Sequence, residues 1–216
     1  MKITTTPFEA MCFDDINLSS SNLTEPALPD FTVPAEVCLP TPKKEVTLVL
    51  DLDETLIHTS MFARDDADFS FPMSHGSKDY TMSVKKRPHV DTFLQKVSKM
   101  FKVVIFTASS SSYANRLLDK LDPENTLISQ RFFRDSCVRQ YLDYIKDLTI
   151  VVDDLAKVVI IDNSPEVFRL QKENGIPIKT WIDDPNDNSL LDLIPFLEVL
   201  AVADDVRPII AEKLCS

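Results

Sequence analysis

The 216-residue chain contains only two glycines, Gly76 and Gly175, well below the share of roughly 7% in an average protein. A P-loop and a dinucleotide-binding turn both need glycines in a fixed pattern between a strand and a helix. Two isolated glycines cannot build either turn. The sequence therefore excludes conventional P-loop ATPases, kinases and NAD-dependent enzymes.

Paired cysteines and long apolar runs are also missing. The cysteines show no CxxC pair and no histidine at metal-ligand spacing, and they are Cys12, Cys38, Cys137 and Cys215. This scatter argues against zinc, and a chain of this size needs no disulfides, so we expect a reducing, intracellular compartment. No apolar run approaches the ~20 residues of a membrane span, and the N-terminus lacks the apolar stretch of a secretory signal. We therefore expect no membrane partner.

Positive charge is scarce, with 23 basic against 34 acidic residues and a formal net charge of −11. A net negative field repels the phosphate backbone of nucleic acids, so we expect no nucleic-acid partner. Nothing in the sequence requires a dimer, and we expect a monomer.

Residues 1–44 differ in composition from the rest of the chain. They hold six of the fourteen prolines, many Ser and Thr residues and no sustained apolar periodicity. Such a segment cannot bury enough apolar surface to offset the entropy lost on ordering. We predict a flexible tail over residues 1–44 and one folded domain over residues 45–216.

Short apolar runs alternate with helical patterns from residue 46 onwards. The runs 46–50, 102–106 and 158–161 are continuous and rich in β-branched residues, which is typical of strands buried on both faces of a parallel sheet. Between them, residues 89–101 carry an apolar helical stripe, and Ser109 to Ser112 can cap a second helix. Ser164 and Pro165 are suited to the start of a third. This order predicts an α/β fold with right-handed crossovers.

Two segments fall outside that alternation. Residues 61–86 show alternating stretches around 75–77, which predict an antiparallel hairpin inserted over one end of the sheet. Residues 190–202 have a helical pattern that contains Pro195, so we expect a kink or two short helices there.

Polar side chains follow each of the three predicted strands. Asp51 and Asp53 come after the first, Thr107 after the second, and Asp162 with Asn163 after the third. In open α/β sheets, ligands bind beyond the carboxyl ends of the strands. Residues two apart on an extended segment point the same way, so Asp51 and Asp53 are expected to face one pocket.

These residue types suit phosphoryl chemistry with a hard cation. Two close carboxylates repel each other unless a cation intervenes, and an oxygen-only cluster favours Mg²⁺. A carboxylate can act as a covalent nucleophile, and Thr107, Lys146 and Arg134 can hold the transferred phosphoryl group. Simpler interpretations exist, since Thr107 could instead cap a helix and Lys146 could be an ordinary exposed lysine.

Several motifs, in order, resemble a known family. They are Val-Leu-Asp-Leu-Asp-Glu-Thr-Leu-Ile-His (49–58), Lys-Arg-Pro-His-Val (86–90), Phe-Thr-Ala-Ser (106–109), Tyr-Ile-Lys-Asp-Leu (144–148), Ile-Asp-Asn-Ser-Pro (161–165), Ile-Pro-Ile-Lys-Thr-Trp (176–181) and Asp-Val-Arg-Pro-Ile-Ile (205–210). Together, over about residues 45–214, they resemble the small carboxy-terminal-domain phosphatases (FCP/SCP-like, with their Dullard-like relatives) of the haloacid dehalogenase superfamily. The resemblance implies a haloacid-dehalogenase-like, Rossmannoid parallel sheet flanked by helices.

The resemblance also assigns roles to the site residues. It implies that Asp51 attacks the phosphate and that Asp53 acts as general acid and then general base. It implies Mg²⁺ bound by the Asp51 carboxylate, the Asp53 carbonyl and Asn163, with Asp162 acting through water. Thr107 and Lys146 would hold the phosphoryl oxygens, with Arg134 near the phosphate.

Substrates of such enzymes are phosphoserine or phosphothreonine in proteins, notably the Ser-Pro repeats of the RNA polymerase II tail. The resemblance implies an apolar substrate pocket, for which the candidates are Phe62, Phe69, Phe71, Tyr80 and Tyr113. Two stretches depart from the family pattern, because 109–112 is a serine run and 139–143 lacks a glycine usual before the lysine motif. The Dullard-like anchor is missing, so we expect a nuclear protein, with the cytoplasm as the alternative.

Two other functions remain open at this level. A small-metabolite phosphatase of the same superfamily is disfavoured because the insertion over residues 61–86 is too short for a sealing cap domain. A catalytically silent phosphopeptide-binding module is disfavoured because every chemical position is filled.

Overall fold

The computed structural model describes residues 45–75 and 78–215 of the chain. The predicted tail over residues 1–44 therefore lies outside the described residues, as do Gly76 and Ser77 at the tip of the predicted hairpin. The strands, in chain order, are β1 (Thr47–Leu50), β2 (Ile57–Ser60), β3 (Phe69–His75), β4 (Lys78–Lys86), β5 (Lys102–Phe106), β6 (Gln130–Phe132), β7 (Val138–Gln140), β8 (Asp143–Ile145), β9 (Val158–Asp162) and β10 (Gly175–Pro177). The α-helices are α1 (Val90–Val97), α2 (Ser111–Leu121), α3 (Ser189–Ala201) and α4 (Val206–Cys215).

Five parallel strands form the central sheet in the order β10-β9-β1-β5-β6. The register places Leu50 of β1 beside Ile105 of β5 and Ile161 of β9. The three predicted strands are thus the three central ones, which confirms the parallel α/β architecture. The edge strands β6 and β10 have three residues each, too few for a periodic signal in the sequence.

Both faces of the sheet are buried, as the continuous apolar runs predicted. Leu48 and Leu50 face a large core that is completed by the four α-helices, while Val49 faces a second, smaller core. Three short 3₁₀ segments cover part of that second face, at Leu148–Ile150, Leu155–Lys157 and Pro165–Asn174. The helix predicted to start at Pro165 is therefore a 3₁₀ segment, interrupted by non-helical dihedral angles at Phe168 and Gln171.

The helix predictions hold with adjusted ends. The segment predicted over 89–101 is helical from Val90 to Val97, and Ser110 is the N-cap of α2. Of the two alternatives expected for residues 190–202, a kink or two short helices, the second is wrong, because α3 is one helix with Pro195 inside it. Nothing in our sequence reasoning predicted α4. Within residues 45–75 and 78–215, none of the helices combines the length and hydrophobicity that a membrane span requires.

The inserted hairpin is present and larger than predicted. β3 and β4 pair antiparallel, and β2 adds a third strand on the other side of β4. The antiparallel sheet therefore begins at Ile57, before the predicted boundary at residue 61. A second, shorter hairpin consists of β7 and β8 and connects the edge strand β6 to the segment that carries Lys146.

Candidate active site

Three neighbouring strands end at the same edge of the sheet and deliver the predicted polar residues there. Asp51 follows β1, Thr107 follows β5, and Asp162 is the last residue of β9. The backbone amide of Asp51 still donates to the carbonyl of Ile161 at 3.0 Å, and that of Thr107 donates to Phe132 at 3.0 Å. Hydrogen bonds between neighbouring strands of the sheet thus fix the backbone of Asp51 and Thr107. Strand β1 lies between β5 and β9, so the three strand ends are adjacent.

All seven of the predicted polar site residues line one cleft of about 310 Å³. They are Asp51, Asp53, Thr107, Arg134, Lys146, Asp162 and Asn163. Glu54, Ser109 and Tyr144 are among the residues that complete its walls. The structure therefore brings together side chains that lie more than 100 residues apart in the sequence.

A tight turn directs both catalytic candidates, Asp51 and Asp53, into this cleft. The amide of Leu56 donates to the carbonyl of Leu52 at 2.9 Å, and Glu54 adopts a positive φ of 58°. Leu52 is completely buried in the core, while its two acidic neighbours line the cleft. The alternation predicted from the sequence is realised here.

Lys146 is a buried ammonium group held between two carboxylates. Its Nζ donates to Asp51 Oδ1 and to Asp162 Oδ2, both at 2.6 Å, and its side chain is 2% exposed. Burial alone would lower the pKa of Lys146, but the two carboxylates outweigh burial and raise it, so the ammonium stays charged. The interpretation of Lys146 as an ordinary exposed lysine is therefore wrong.

Asp53 has a different environment from Asp51. Its Oδ1 accepts a hydrogen bond from the Tyr113 hydroxyl at 2.5 Å, and its Oδ2 accepts one from the Ser109 hydroxyl at 2.7 Å. Burial raises the pKa of Asp53 to about 6. The two hydrogen bonds act in the opposite direction and lower this pKa, while the nearby negative charge of Asp51 raises it further. A carboxyl group with such a pKa can both give and take a proton near neutral pH.

The oxygen atoms of the cleft fit a magnesium ion. Among the described residues, no three His, Cys, Asp or Glu side chains are gathered as a metal cluster, so an ion here needs amide and backbone oxygens as well. Asn163 supplies an amide oxygen whose position is fixed, since its Nδ2 donates to the Thr180 hydroxyl at 3.1 Å and its Oδ1 accepts from the Thr55 hydroxyl at 3.4 Å. Magnesium is usually bound through one or two carboxylates with waters and phosphate completing the shell, and this donor set agrees with that preference.

Two further residues that line the cleft are Thr107 and Arg134, the other predicted phosphate-binding residues. Thr107 is buried, and its Oγ1 accepts the amide hydrogen of Ser109 at 3.0 Å. The N-cap of α2 is Ser110, so the interpretation of Thr107 as a capping residue is wrong. Arg134 donates through Nε to the carbonyl of Ala108 at 2.7 Å and stacks over the Tyr144 ring at 5.3 Å.

A second, apolar pocket of about 280 Å³ is built from the inserted sheet and α2. It is lined by Met61, Met73, Tyr80, Met82 and Tyr113. Two of the five aromatic candidates, Tyr80 and Tyr113, therefore face it.

The other three aromatic candidates do not line this pocket. Phe71 is buried beneath it with its ring 6.2 Å from that of Tyr113, and Phe69 packs against the core. Phe62 is 79% exposed. Our sequence analysis did not predict the methionines as pocket residues. Met73 pairs with Tyr80 across the two strands, and Met82 lies two residues after Tyr80 and therefore on the same face of β4.

Sequence reasoning also missed the polar residues that hold the site in place. The pairing of Tyr113 with Asp53 and of Thr180 with Asn163 joins residues 60 and 17 positions apart, and no local pattern announces either contact. Ser109 had a detectable signal, because it lies two residues after Thr107 in the same strand-end loop.

Comparison with known proteins agrees with this geometry. Residues 46–207 match the model of the NLI interacting factor-like phosphatase family. CTD small phosphatase-like protein 2 of Dictyostelium discoideum is 49% identical over 84% of this chain and 32% of its own length. CTD small phosphatase-like protein 3 of Caenorhabditis elegans is 46% identical over 78% of this chain and 59% of its own length. The chain thus spans about one third of the first relative and about three fifths of the second.

A third relative is matched more completely, and solved structures share the fold. CTD nuclear envelope phosphatase 1B of Danio rerio is 41% identical over 79% of this chain and 73% of its own length. A structure of an arginine-to-alanine variant of the fission yeast RNA polymerase II CTD phosphatase Fcp1, bound to beryllium fluoride, superposes with a TM-score of 0.57, and a structure of Fcp1, an essential RNA polymerase II CTD phosphatase, superposes with a TM-score of 0.56. Both cover 80% of this chain and 55% and 54% of theirs, at 21% and 22% identity, and confirm the fold.

Proposed function

Because the chain belongs to the NLI interacting factor-like phosphatase family, we propose that it is a Mg²⁺-dependent protein serine/threonine phosphatase with a phospho-aspartate intermediate. One observation carries this proposal. Two carboxylates in one cleft have contrasting environments, since Asp51 is paired with the ammonium of Lys146 and Asp53 has a raised pKa of about 6. Such a contrast separates a nucleophile from a proton-transfer group.

In the first step, a carboxylate oxygen of Asp51 attacks phosphorus and forms an acyl phosphate. The bond between phosphorus and the seryl or threonyl oxygen breaks, and Asp53 gives its proton to that oxygen. In the second step, Asp53 takes a proton from water, whose oxygen attacks phosphorus and releases inorganic phosphate and free Asp51. Proton transfer of this kind contributes typically ~10²–10⁴-fold to the rate.

The remaining polar residues bind the phosphoryl group during both steps. Lys146 and the hydroxyl of Thr107 donate to its oxygens, and the free guanidinium nitrogens of Arg134 provide positive charge at the open side of the cleft. Magnesium would be held by the carboxylate of Asp51, the backbone carbonyl of Asp53 and Asn163, with Asp162 acting through water. The ion supplies charge neutralisation between the acidic side chains and the phosphate.

The cleft favours a polypeptide substrate over a small metabolite. The insertion between β1 and α1 is a three-stranded sheet rather than a large cap domain. The apolar pocket on this sheet includes Tyr113, whose hydroxyl contacts Asp53, and offers a place for a side chain that flanks the phosphorylated residue. Relatives and structural neighbours are named CTD phosphatases. We therefore assign phosphoserine or phosphothreonine, in Ser-Pro-type sequences such as the RNA polymerase II tail, as the substrate class.

Three expectations from the sequence belong to this proposal. The naming of relatives as nuclear envelope phosphatases supports a nuclear location. We propose that the phosphatase domain spans residues 45–216 and that the protein is a monomer.

The test is phosphate release from an aryl phosphate and from a phosphoserine peptide at mildly acidic pH. We expect both activities to require Mg²⁺ and to be lost in chelator. Asp51→Asn is expected to lose at least about 10³-fold in kcat, whereas Asp119→Asn, at an exposed position of α2, retains the wild-type rate. Activity that survives in chelator or in Asp51→Asn contradicts the mechanism, and a folded protein without any activity favours a phosphopeptide-binding module.

A further inference from the structure

Tyr113 belongs to two sites at once. Its ring lines the apolar pocket, together with three methionines and Tyr80. Its hydroxyl reaches the neighbouring cleft and lies 2.5 Å from Asp53 Oδ1. One side chain in the first turn of α2 therefore contacts both the space for a flanking substrate residue and the proton-transfer carboxyl group.

The hydrogen bonds around this hydroxyl form a directed chain. A phenol carries a single proton and an ionised carboxylate can only accept. When Asp53 is ionised, the proton of Tyr113 therefore belongs to the bond with Asp53, and the 2.7 Å contact with Thr59 Oγ1 is completed by the proton of the threonine. When Asp53 is protonated for transfer to the leaving oxygen, the Tyr113 hydroxyl still lies within hydrogen-bond reach of Oδ1 and keeps the carboxyl group in place. With Ser109 on the other oxygen, both oxygens of Asp53 are held and the plane of its carboxyl group is fixed.

The ring of Tyr113 is partly buried against the main core, and the part of it that lines the apolar pocket borders open space. Its ring has one aromatic neighbour, Phe71, at a tilted 6.2 Å, and the pocket beside it offers about 280 Å³ of space. The methionines that line this space are flexible side chains that repack around an occupant. An apolar side chain in the pocket would complete the packing around the ring and restrict the position of its hydroxyl.

We propose that Tyr113 is a positioning residue through which an apolar substrate side chain next to the phosphorylated residue orients Asp53. This inference rests on the proposed function and adds to it that occupancy of the pocket accelerates the chemical step as well as strengthening binding. The physical reason is that a proton-transfer group acts efficiently only within hydrogen-bond reach of the leaving oxygen. A misplacement of about 1 Å costs up to ~10²-fold in rate.

The test is a double-mutant cycle in which the hydroxyl of residue 113 and the peptide residue next to the phosphoserine are varied separately and together. Tyr113→Phe keeps the ring in the pocket and removes only the hydroxyl. Two phosphoserine peptides are compared that differ only in the residue next to the phosphoserine. This residue is apolar, leucine or proline, in the first peptide and glycine in the second. Single-turnover rates at saturating peptide isolate the chemical step from binding.

We expect the wild-type single-turnover rate to be about 10-fold higher with the apolar peptide than with the glycine peptide. Tyr113→Phe should lower the rate on the apolar peptide about 10-fold and remove most of the difference between the two peptides. Thr59→Val, which removes the proton donor to Tyr113, should act in the same direction with a smaller effect. Tyr141→Phe, at an exposed hairpin tip, is the matched control and should retain both rates.

An aryl phosphate distinguishes positioning from a merely structural role. Its leaving group departs without a proton, so kcat/KM of Tyr113→Phe on this substrate should stay within about threefold of wild type. An equal loss on the aryl phosphate and the peptides would overturn the inference, as would a loss confined to KM or a peptide preference that persists in Tyr113→Phe. Wild-type protein that is inactive on all substrates would overturn the proposed function and this inference with it.

Discussion

Lys146 is the residue on which the electrostatics of the cleft depend. Its ammonium is the recorded ion-pair partner of both Asp51 and Asp162, and all three residues are more than 90% buried. Without it, the two carboxylates would repel each other in a poorly hydrated site with no positive charge between them.

We therefore predict that Lys146→Met lowers kcat by about 10²–10³-fold, the usual loss when one charged donor to a reacting group is removed. Lys85→Met is the matched control, because Lys85 pairs with the exposed Asp66 on the surface of the inserted sheet and should leave kcat unchanged. Steady-state kinetics on the phosphoserine peptide provide the comparison. A wild-type kcat in Lys146→Met would show that the buried ammonium has no part in the chemistry.

Single residues were predictable where a strand end identified them. The acidic pair after β1 and the Asp-Asn pair after β9 could be placed from apolar runs alone, because parallel strands deliver their carboxyl ends to one edge. Tyr113 was predicted as a pocket residue only. Its hydrogen bond with Asp53 depends on the angle at which α2 packs across the end of the sheet. This angle could not be derived from the residue pattern of a single sequence.

At the scale of elements, the β7–β8 hairpin carries an unusual turn. Its two connecting residues are Tyr141 and Leu142, which are 97% and 88% exposed, and Tyr141 has a φ of 56°. A positive φ is favourable for glycine and tolerable for asparagine, and it is an outlier for a bulky residue. The glycine missing from residues 139–143 therefore leaves a tyrosine in a strained backbone conformation.

We predict that Tyr141→Asn raises the free energy of unfolding by about 0.5 kcal/mol, because it relieves this strain without removing buried contacts. Leu142→Asn is the matched control, since this neighbour is equally exposed and has no positive φ; it should bring no gain. Midpoints of urea unfolding measure both variants. Equal midpoints for the two variants would contradict the strain argument.

Elements were predictable in proportion to their length and periodicity. The three central strands were recognisable in the sequence from their continuous apolar runs, and α1 and α2 from apolar residues at helical spacing. The edge strands β6 and β10 and the β7–β8 hairpin use segments of three residues, over which a period of two cannot be distinguished from chance. The alternative of two short helices around Pro195 was wrong because a proline in the sequence shows a missing backbone donor but not how the surrounding core stabilises one continuous helix, α3.

At the scale of the whole molecule, one buried ion pair connects distant segments. Arg87, before α1, donates to both oxygens of Asp187 at 2.7 and 2.9 Å and to the carbonyl of Thr55 in the turn after β1. The side chains of the pair are 0% and 4% exposed. Hydrogen bonding from Arg87 lowers the pKa of Asp187 despite its burial. The pair therefore couples the turn that follows β1, which carries Asp51 and Asp53, to the starts of α1 and α3.

The lowered pKa of Asp187 makes this coupling sensitive to acid. Its stabilising contribution is complete above the ordinary aspartate pKa of about 3.9 and is lost as the pH falls through the lower pKa of the folded state. Asp187→Asn leaves the Arg87 guanidinium buried without its charge partner, and we predict a loss of about 3–5 kcal/mol at pH 7.

Urea unfolding between pH 7 and pH 3 measures this prediction. The stability difference between wild type and Asp187→Asn should be constant near neutrality and should shrink as the pH falls below about 4. A difference that stays the same down to pH 3 would show that the charge on Asp187 does not stabilise the fold.

The central claim is that Asp51 becomes covalently phosphorylated during turnover. The most direct measurement is rapid acid quenching of enzyme mixed with phosphoserine peptide and Mg²⁺, followed by mass spectrometry of the peptide that contains residues 49–58. The account predicts one added phosphoryl group on Asp51, labile to hydroxylamine as acyl phosphates are, and none in Asp51→Asn. Turnover of the substrate with no phosphoryl group ever trapped on Asp51, or with the group on another residue, would contradict the account.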